Sequence, residues 1–137
     1  MTYQEIFAVQ SRGRGTQNLT AEIRAAVGRA GIATGLVHVF VRHTSCSLLL
    51  TENADPDVRR DLETLFARLV PDGDPAYRHD LEGEDDMAAH ARSLLAGHEL
   101  SVPVADGALL LGTWQGVFLW EHRATGHRRE IVVTVIG

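Results

Sequence analysis

The sequence predicts a single α+β domain with about seven strands and about three helices, and three observations lead to this prediction. The chain has 137 residues, 45% of them hydrophobic and 23% charged, as in an ordinary globular domain. Three segments carry apolar residues at helical spacing. Most of the rest consists of short apolar or alternating stretches separated by turn residues. We therefore expect residues 1–137 to form one antiparallel-rich sheet or sandwich, with helices packed against it.

The three helices are placed by their spacing and by the signals at their ends. Residues 19–30 repeat apolar side chains every three or four positions, and Gly31 suits the C-terminal cap. Asp55 can cap the second helix, with Pro56 in its first position. The third helix is expected from about residue 86 to residue 96.

The strands are predicted from β-branched and alternating stretches. They are expected at residues 6–9, 36–41, 47–51, 100–104, 109–111, 117–122 and 130–136. Residues 105–107 predict a turn. Residues 124–127 predict a hairpin loop that joins the last two strands.

Charge and cysteine content exclude some classes of function. The net charge is −5 and lysine is absent, which argues against general affinity for a nucleic-acid backbone. No apolar stretch approaches the roughly 20 residues of a membrane span, and the first residues do not resemble a signal peptide. Cys46 is the only cysteine, so no internal disulfide can form and a reducing cytoplasm is the simplest location.

The segment from His79 to His90 is the strongest candidate for a functional site. It holds two histidines and five acids within twelve residues, and Gly83 lies between the histidines. Asp86 and His90 are four residues apart on the third helix, so their side chains point to the same side. Imidazole and carboxylate groups bind divalent metals and transfer protons. Three structural explanations stay open: an acid that complements the helix dipole, a core His90 bonded to a backbone carbonyl, and a solvated His79.

Two further segments carry candidate binding residues. His43, Thr44 and Ser45 follow a buried strand, where their hydroxyl and backbone N–H groups could hold a phosphate. The alternative is a turn in which the hydroxyls bond their own backbone. Trp114 and Gln115 lie between Gly112 and Gly116. Glycine inside a strand often marks a bulge or a place where a ligand or another backbone comes close, which makes both residues candidates for binding.

The remaining candidates are read as structural. Cys46 could be a nucleophile, although a lone cysteine more often packs as a small apolar group. His38, His98 and His127 have no polar companions in sequence and are interpreted as structural or solvated. Glu121 and His122 are adjacent in a predicted strand and so cannot both face one pocket.

The ordered set of these segments resembles the YjbQ-like family. The match spans nearly the whole chain, and the pieces together are specific although each alone is weak. The resemblance implies a single β-rich α+β domain that assembles as a homotrimer. It also implies a weak, secondary thiamine phosphate synthase activity, in which a pyrimidine diphosphate and a thiazole phosphate are joined. The matching pieces are residues 43–45, 52–56, 79–83, 85–90, 93–97 and 111–116.

The resemblance also groups the candidate residues into a site. His43, His79 and His90 lie in its motif blocks, and we expect them to converge, within one subunit or across the trimer contact, on a divalent metal, zinc in the first place with magnesium as the alternative. Asp86 would orient a ligand histidine or bind the metal, and Glu82 is a second acid/base candidate. Thr44 and Ser45 would hold phosphate, while Trp114 would stack on a heterocycle whose edge Gln115 would bond.

Two functions follow from this set of residues. The first is an enzyme that forms a carbon–nitrogen bond while metal and hydrogen-bond donors stabilise the leaving diphosphate. The second is a non-catalytic trimeric module that binds a metal and a small anionic or heterocyclic ligand. A dedicated synthase should carry several cations for the diphosphate. Near the motif blocks the sequence offers only arginines, at positions 42, 78, 92 and 123.

Overall fold

The structure, a computed structural model, describes residues 1–137 and contains eight strands and three helices. The strands are β1 (Thr2–Gln10), β2 (Gly15–Asn18), β3 (Gly35–Val41), β4 (Cys46–Glu52), β5 (Glu99–Ala105), β6 (Ala108–Leu109), β7 (Gln115–Glu121) and β8 (Arg128–Ile136). The helices are α1 (Thr20–Ala30), between β2 and β3, and α2 (Pro56–Leu69) and α3 (Asp86–Ala96), which follow one another between β4 and β5. The predicted α+β class is confirmed.

The strands form two antiparallel sheets. Sheet A has the strand order β1-β8-β3-β5-β6, and sheet B has the order β2-β7-β4. The first and last strands of the chain are paired along their full length, from Thr2 opposite Ile136 to Gln10 opposite Arg128. This long-range pairing ties the two ends of the chain into one domain, as the sequence led us to expect.

The core takes the apolar stripe of α1 and the inner faces of both sheets. From α1 it takes side chains such as Ile23 and Val27, which recur at the spacing that predicted the helix. Sheet A contributes alternate residues, for example Val37 and Val39, and sheet B contributes Leu48, Val117 and Leu119. Helix α3 packs against β4. His90 and Ser93, in the middle of α3, are thereby held beside Thr44 and Cys46 at the start of β4.

The predicted helix ends are confirmed. Gly31 has a φ of 64°, the left-handed conformation that commonly ends a helix. The Asp55 carboxylate accepts a hydrogen bond from the backbone N–H of Asp57, and Pro56 occupies the first position of α2. Helix α3 covers the residues expected from its spacing.

One expectation about the strands was wrong, and one strand was missed. β7 and β8 do not form a hairpin, because β7 pairs with β2 and β4 in sheet B while β8 pairs with β1 and β3 in sheet A. Residues 124–127 therefore carry the chain from one sheet to the other. β2 was not predicted at all. Its sequence, Gly-Thr-Gln-Asn, has no apolar alternation, and only its pairing with β7 makes it a strand.

None of the three helices has both the length and the apolar character that a span of the bilayer requires.

Candidate metal site

Three side chains of the His79–His90 segment meet at one point. The Nε2 atom of His79 lies 2.5 Å from Oδ2 of Asp86, and the Nε2 atom of His90 lies 3.3 Å from the same oxygen. The two imidazole rings are 5.3 Å apart between centroids. One donor atom from each of the three residues lies within 4.8 Å of the others. These distances allow one small cation to contact all three residues.

The first turn of α3 and the loop before it create this arrangement. Asp86 is the first residue of the helix and His90 lies one turn later, so both project from the same side. His79 is brought back by the loop, which turns at Gly83 with a φ of 113°. The spacing alone matched no zinc motif, because the third group arrives through this turn.

A backbone carbonyl fixes the tautomer of His90. Its Nδ1 lies 2.8 Å from the carbonyl oxygen of Thr44. A carbonyl can only accept, so Nδ1 carries the proton and donates it. In the neutral ring the lone pair is then on Nε2, which faces the Asp86 carboxylate. Two acceptors that face each other at this distance repel unless a proton or a metal cation lies between them.

Asp86 is buried and ionised. Its side chain is only 2% exposed, and Oδ1 accepts a hydrogen bond of 2.9 Å from Nη1 of Arg123. Burial acts to raise the pKa of Asp86. The hydrogen bond from His79 and the charge of Arg123 outweigh it, so that the pKa lies below its usual value. Arg123 bonds Oδ1, so Oδ2 is the oxygen that faces the two histidines.

Two shallow cavities flank the three residues. One, of about 280 Å³, opens beside His79 and is lined by Tyr77 and by loop residues that include Asp80 and Glu84. The other, of about 320 Å³, lies on the far side of His90. The second cavity is lined by Thr44, His90, Leu94 and His98. His98, which the sequence suggested was structural or solvated, therefore lines a cavity beside His90.

His43, the third predicted metal ligand, lies outside this group. Its Nε2 accepts a hydrogen bond of 2.8 Å from the backbone N–H of Glu130. Burial and the nearby charge of Arg129 lower the pKa of His43, so the ring is held neutral as an acceptor. Because this lone pair is already used, Asp86 replaces His43 as the third member of the cluster.

The phosphate site expected at Thr44 and Ser45 is not assembled as predicted. Thr44 reaches the cluster through its carbonyl oxygen rather than through its hydroxyl. Ser45 is buried, and its hydroxyl accepts a hydrogen bond of 2.9 Å from Arg129. Burial also raises the pKa of the neighbouring Cys46 thiol to about 12, which keeps it protonated and unreactive.

Trp114 and Gln115 lie at the other end of sheet B. Gln115 pairs with Glu52 at one end of the β4–β7 ladder, and Cys46 pairs with Glu121 at the end near His90. Six residue steps separate these ends, about 20 Å along the strand. Trp114 is 63% exposed, and the Gln115 side chain accepts a hydrogen bond from the backbone of Gly112. Within one chain neither residue can contact a ligand held by His79 and His90.

The remaining predicted residues are placed as follows. Glu82 is exposed, and its carbonyl oxygen accepts a hydrogen bond from Arg123. The Arg92 side chain is buried and donates to the carbonyl of Val70, so it cannot serve as a diphosphate clamp. Arg42 lies beside Glu130. Arg123 is the only one of the four arginines with a direct contact to the cluster.

Sequence reasoning did not foresee the buried polar groups at the end of β7. Glu121 forms an ion pair with Arg129 and accepts a hydrogen bond from Ser11, whereas His122 bonds the Ser47 hydroxyl at 2.8 Å. The two side chains thus have separate partners, as strand alternation predicted. Burial lowers the pKa of His122 to about 3. The only signal in the sequence was an acid and a histidine that ended an otherwise apolar strand.

Comparison with known proteins gives one consistent result. A family model described as "UPF0047 protein YjbQ-like" matches residues 4–137. A UPF0047 protein from Synechocystis is 52% identical over 98% of this chain and 92% of its own length. The UPF0047 protein YjbQ of Salmonella typhimurium is 46% identical, over 100% of this chain and 99% of its own length.

Solved structures agree with these relatives. A conserved hypothetical protein from Thermus thermophilus has a TM-score of 0.86 and 39% identity, covering 96% of this chain and 99% of its own. A YbjQ-like protein of unknown function from Sulfolobus solfataricus has a TM-score of 0.90 and 25% identity. That match covers 100% of this chain and 98% of the other.

Proposed function

The chain belongs to the UPF0047 (YjbQ-like) family, and from the geometry of its first α3 turn we propose that it binds one divalent metal ion, zinc, through His79, Asp86 and His90. The observation that carries the proposal is the His90 ring, whose Nε2 lone pair faces a carboxylate oxygen at 3.3 Å. A cation between them removes the repulsion of two acceptors. The sequence had favoured zinc, and two imidazoles with one carboxylate suit zinc better than magnesium, which prefers oxygen ligands.

The surrounding residues support such a site. The Thr44 carbonyl orients His90, and Arg123 holds the other oxygen of Asp86. Partners of this kind around the ligands are usual in zinc sites. His79 is 47% exposed and His90 is 30% exposed, so solvent and small ligands can reach the point where their rings meet. Three protein ligands leave a coordination position open, which is the arrangement of catalytic zinc sites.

The residues beside the metal would bind and orient a small ligand. A zinc ion held here would supply Lewis-acid polarisation of an oxygen atom on that ligand. The cavity beyond His90 would accept an apolar or flat group between Leu94 and His98. Asp86 is paired with Arg123, so it would stay ionised and hold the histidines in place rather than transfer a proton.

Thiamine phosphate synthesis is the specific reaction that the resemblance implies, and we retain it as a secondary activity. The carbon–nitrogen bond forms as the carbon–oxygen bond to diphosphate breaks. Apart from the metal, the only cation in direct contact with the cluster is Arg123, whose groups are bonded to Asp85, Asp86 and the Glu82 carbonyl. This small number of free cations favours a slow side reaction over a dedicated synthase.

The second candidate function is a non-catalytic module that holds the same metal and a small anionic or heterocyclic ligand. Purified protein that converts both thiamine precursors, with conversion lost in His79→Ala, would favour the enzyme. Metal binding without conversion of the precursors would favour the module. Comparison with the Leu65→Ala protein, changed at an exposed position of α2, controls for general damage to the fold.

We also propose a homotrimer, the assembly that the resemblance implies, and a cytoplasmic location. Exposed apolar residues support the assembly. Ile6, Val132 and Phe40 form a row on the outer face of sheet A, with Ile6 opposite Val132 and Val132 opposite Phe40. Large exposed apolar surfaces mark association sites.

The metal proposal is tested by counting zinc. Protein stripped of metal, incubated with zinc and desalted should retain one zinc per chain by elemental analysis. His90→Ala and Asp86→Asn should each weaken zinc binding at least about tenfold, because each removes one of three ligands. His43→Ala should bind zinc like the parent protein. If only the His43 variant loses zinc, the ligand set is wrong.

A further inference from the structure

We propose that the cavity between the start of α1 and the adjoining end of sheet B binds a small free amino acid, with Arg24 at its carboxylate and Glu22 at its ammonium group. The site shares no residue with the candidate metal site, and it goes beyond the proposed metal function without depending on it. It uses Asn53 and Gln115, which belong to the matching segments at residues 52–56 and 111–116 and which the metal cluster leaves without a role.

The cavity lies at the end of sheet B where β2 and β4 finish and β7 begins. β2 ends at Asn18, β4 ends at Glu52 and β7 starts at Gln115, and β7 pairs antiparallel with both of the others. The cavity has a volume of about 550 Å³, within the size range of small-molecule sites. Ala21 is its only apolar residue. The polar lining consists of Asn18, Thr20, Glu22, Arg24, Asn53 and Gln115.

Two charges of opposite sign line this cavity without neutralising each other. Glu22 and Arg24 are exposed and lie two positions apart on α1, a spacing at which helical residues do not face each other. Neither forms an ion pair, whereas Arg29, further along the same helix, is paired with Glu5 at 2.8 Å. Two separate, unpaired charges at one cavity can hold the carboxylate and the ammonium group of one ligand at the same time.

Backbone N–H groups fix the orientation of two amide side chains at the cavity. Oε1 of Gln115 accepts a hydrogen bond of 2.9 Å from the backbone of Gly112, and Oδ1 of Asn18 accepts one of 2.9 Å from the backbone of Thr20. A backbone N–H group can only donate, so in each side chain the oxygen faces the backbone and the NH₂ group is left for a ligand. The cavity therefore has two amide donors beside Arg24.

The third amide, that of Asn53, has the opposite orientation. Its Nδ2 donates hydrogen bonds of 3.3 Å to the carbonyl oxygens of Thr113 and Gln115. Carbonyl oxygens can only accept, so Oδ1 is the atom of Asn53 that is left for a ligand. This oxygen and the Glu22 carboxylate are acceptors, as an ammonium group requires.

This set of donors and acceptors suits a zwitterion better than a ligand with one charge. A simple anion would leave Glu22 without a partner beside it, and a simple amine would do the same to Arg24. An amino acid satisfies both charges and all three amides. Because Ala21 is the only apolar residue of the lining, we expect a small or polar side chain, as in serine or glutamine. The amides are already held by the backbone, so they lose little freedom on binding.

Titration calorimetry with L-serine and L-glutamine tests the proposal. The full chain is studied with EDTA present, so that no metal ion can hold the amino acid. We expect saturable binding at one site per chain. L-Glutaminamide lacks the carboxylate and N-acetyl-L-glutamine lacks the ammonium group. Each should bind at least about fivefold more weakly than L-glutamine, because one charge-assisted contact is lost.

Two variants assign each charge of the ligand to its residue. Arg24→Gln should weaken L-glutamine binding at least about fivefold but should not weaken binding of L-glutaminamide, which has no carboxylate for Arg24 to hold. Glu22→Gln should weaken L-glutamine binding to a similar degree but should not weaken binding of N-acetyl-L-glutamine. Both residues are exposed, and neither forms an ion pair that holds the fold, so urea unfolding of both variants should match the parent protein.

The matched controls are Arg68→Gln and Asp61→Asn, which remove the same charges from exposed positions of α2. Each should change L-glutamine binding by less than about twofold, the effect of a distant, screened charge. Three results would overturn the proposal: no saturable binding of either amino acid, an analogue that binds as tightly as L-glutamine, or equal weakening in the test and control variants. Zinc binding by all four variants, measured without EDTA, should equal that of the parent protein, which separates this site from the metal site.

Discussion

At the residue scale, the metal cluster shows what spacing can and cannot predict. Asp86 and His90 were paired correctly, because a separation of four residues on a helix brings two side chains together. His43 was grouped with them through its motif block. The block does reach the site, but through the carbonyl of Thr44, while the His43 ring bonds the backbone of Glu130. Which atom of a segment makes the contact depends on tertiary packing.

Ser45 and Cys46 give the same lesson for binding chemistry. Their residue types fit a phosphate site or a nucleophile, but both side chains are buried at the start of β4. Ser45 is bonded to Arg129, a partner 84 positions away in the chain. A hydroxyl can bind a ligand only if no other residue already forms a hydrogen bond with it. Residues far away in the chain can do so, and the local sequence does not show which ones.

The buried His122 makes a prediction about acid stability. Its pKa is about 3 when folded and near the ordinary 6.5 when unfolded. Between these pH values the unfolded chain binds one more proton, so the free energy of unfolding falls as the pH falls. From pH 7 to pH 5 this group should cost about 2 kcal/mol of stability. Urea unfolding measures the free energy of unfolding at each pH. In His122→Gln its decrease from pH 7 to pH 5 should be smaller than in the parent protein by this amount.

Ser47→Ala is the control for this prediction. It removes the hydroxyl that bonds His122 but leaves the imidazole buried. We expect lower stability at every pH, with the loss between pH 7 and pH 5 largely retained. A His122→Gln protein that loses as much stability over this interval as the parent would show that His122 is not the group responsible.

At the element scale, helices were predicted well and one strand was missed. The ends of α1 and α2 are encoded locally, by the left-handed Gly31 and by the Asp55–Pro56 pair. β2 has no such local signal, since it becomes a strand only through pairing with β7. The supposed hairpin of β7 and β8 failed for a related reason. A short loop between two strands can equally join neighbours or cross between two sheets.

The cap of α2 is a second prediction. The Asp55 carboxylate accepts a hydrogen bond from the backbone of Asp57 at the first turn of the helix. Asp55→Ala should lower the free energy of unfolding by about 1 kcal/mol, measured by urea unfolding. Asp61→Ala, which removes the same charge from an exposed position of α2, should change it by less than about 0.5 kcal/mol. Equal effects would mean that the cap is not what stabilises the helix start.

At the scale of the whole molecule, the sequence predicted the class but not the division into two sheets. The pairing of β1 with β8 and the role of α1 in the core follow from apolar patterns that are visible in the chain. The place of each strand in sheet A or sheet B depends on contacts between residues far apart. This division also separates Trp114 from the histidines, so a binding site for both cannot form in one chain.

The homotrimer is a prediction at this scale. Native mass spectrometry should give three times the 15.0 kDa mass of one chain. If the outer face of sheet A is part of the contact between subunits, Phe40→Glu should shift the measured mass toward that of one chain. Leu65→Glu, an exposed apolar residue on α2, should leave the assembly intact. A parent protein that is monomeric at micromolar concentration would reject the trimer.

The zinc ligand set is tested most directly by anomalous diffraction from crystals grown with zinc. We expect one strong anomalous peak per chain at about 2.0–2.2 Å from Nε2 of His79, Nε2 of His90 and one carboxylate oxygen of Asp86. A peak bound to His43 instead, or no peak near the first turn of α3 when zinc is in excess, would contradict the proposed site.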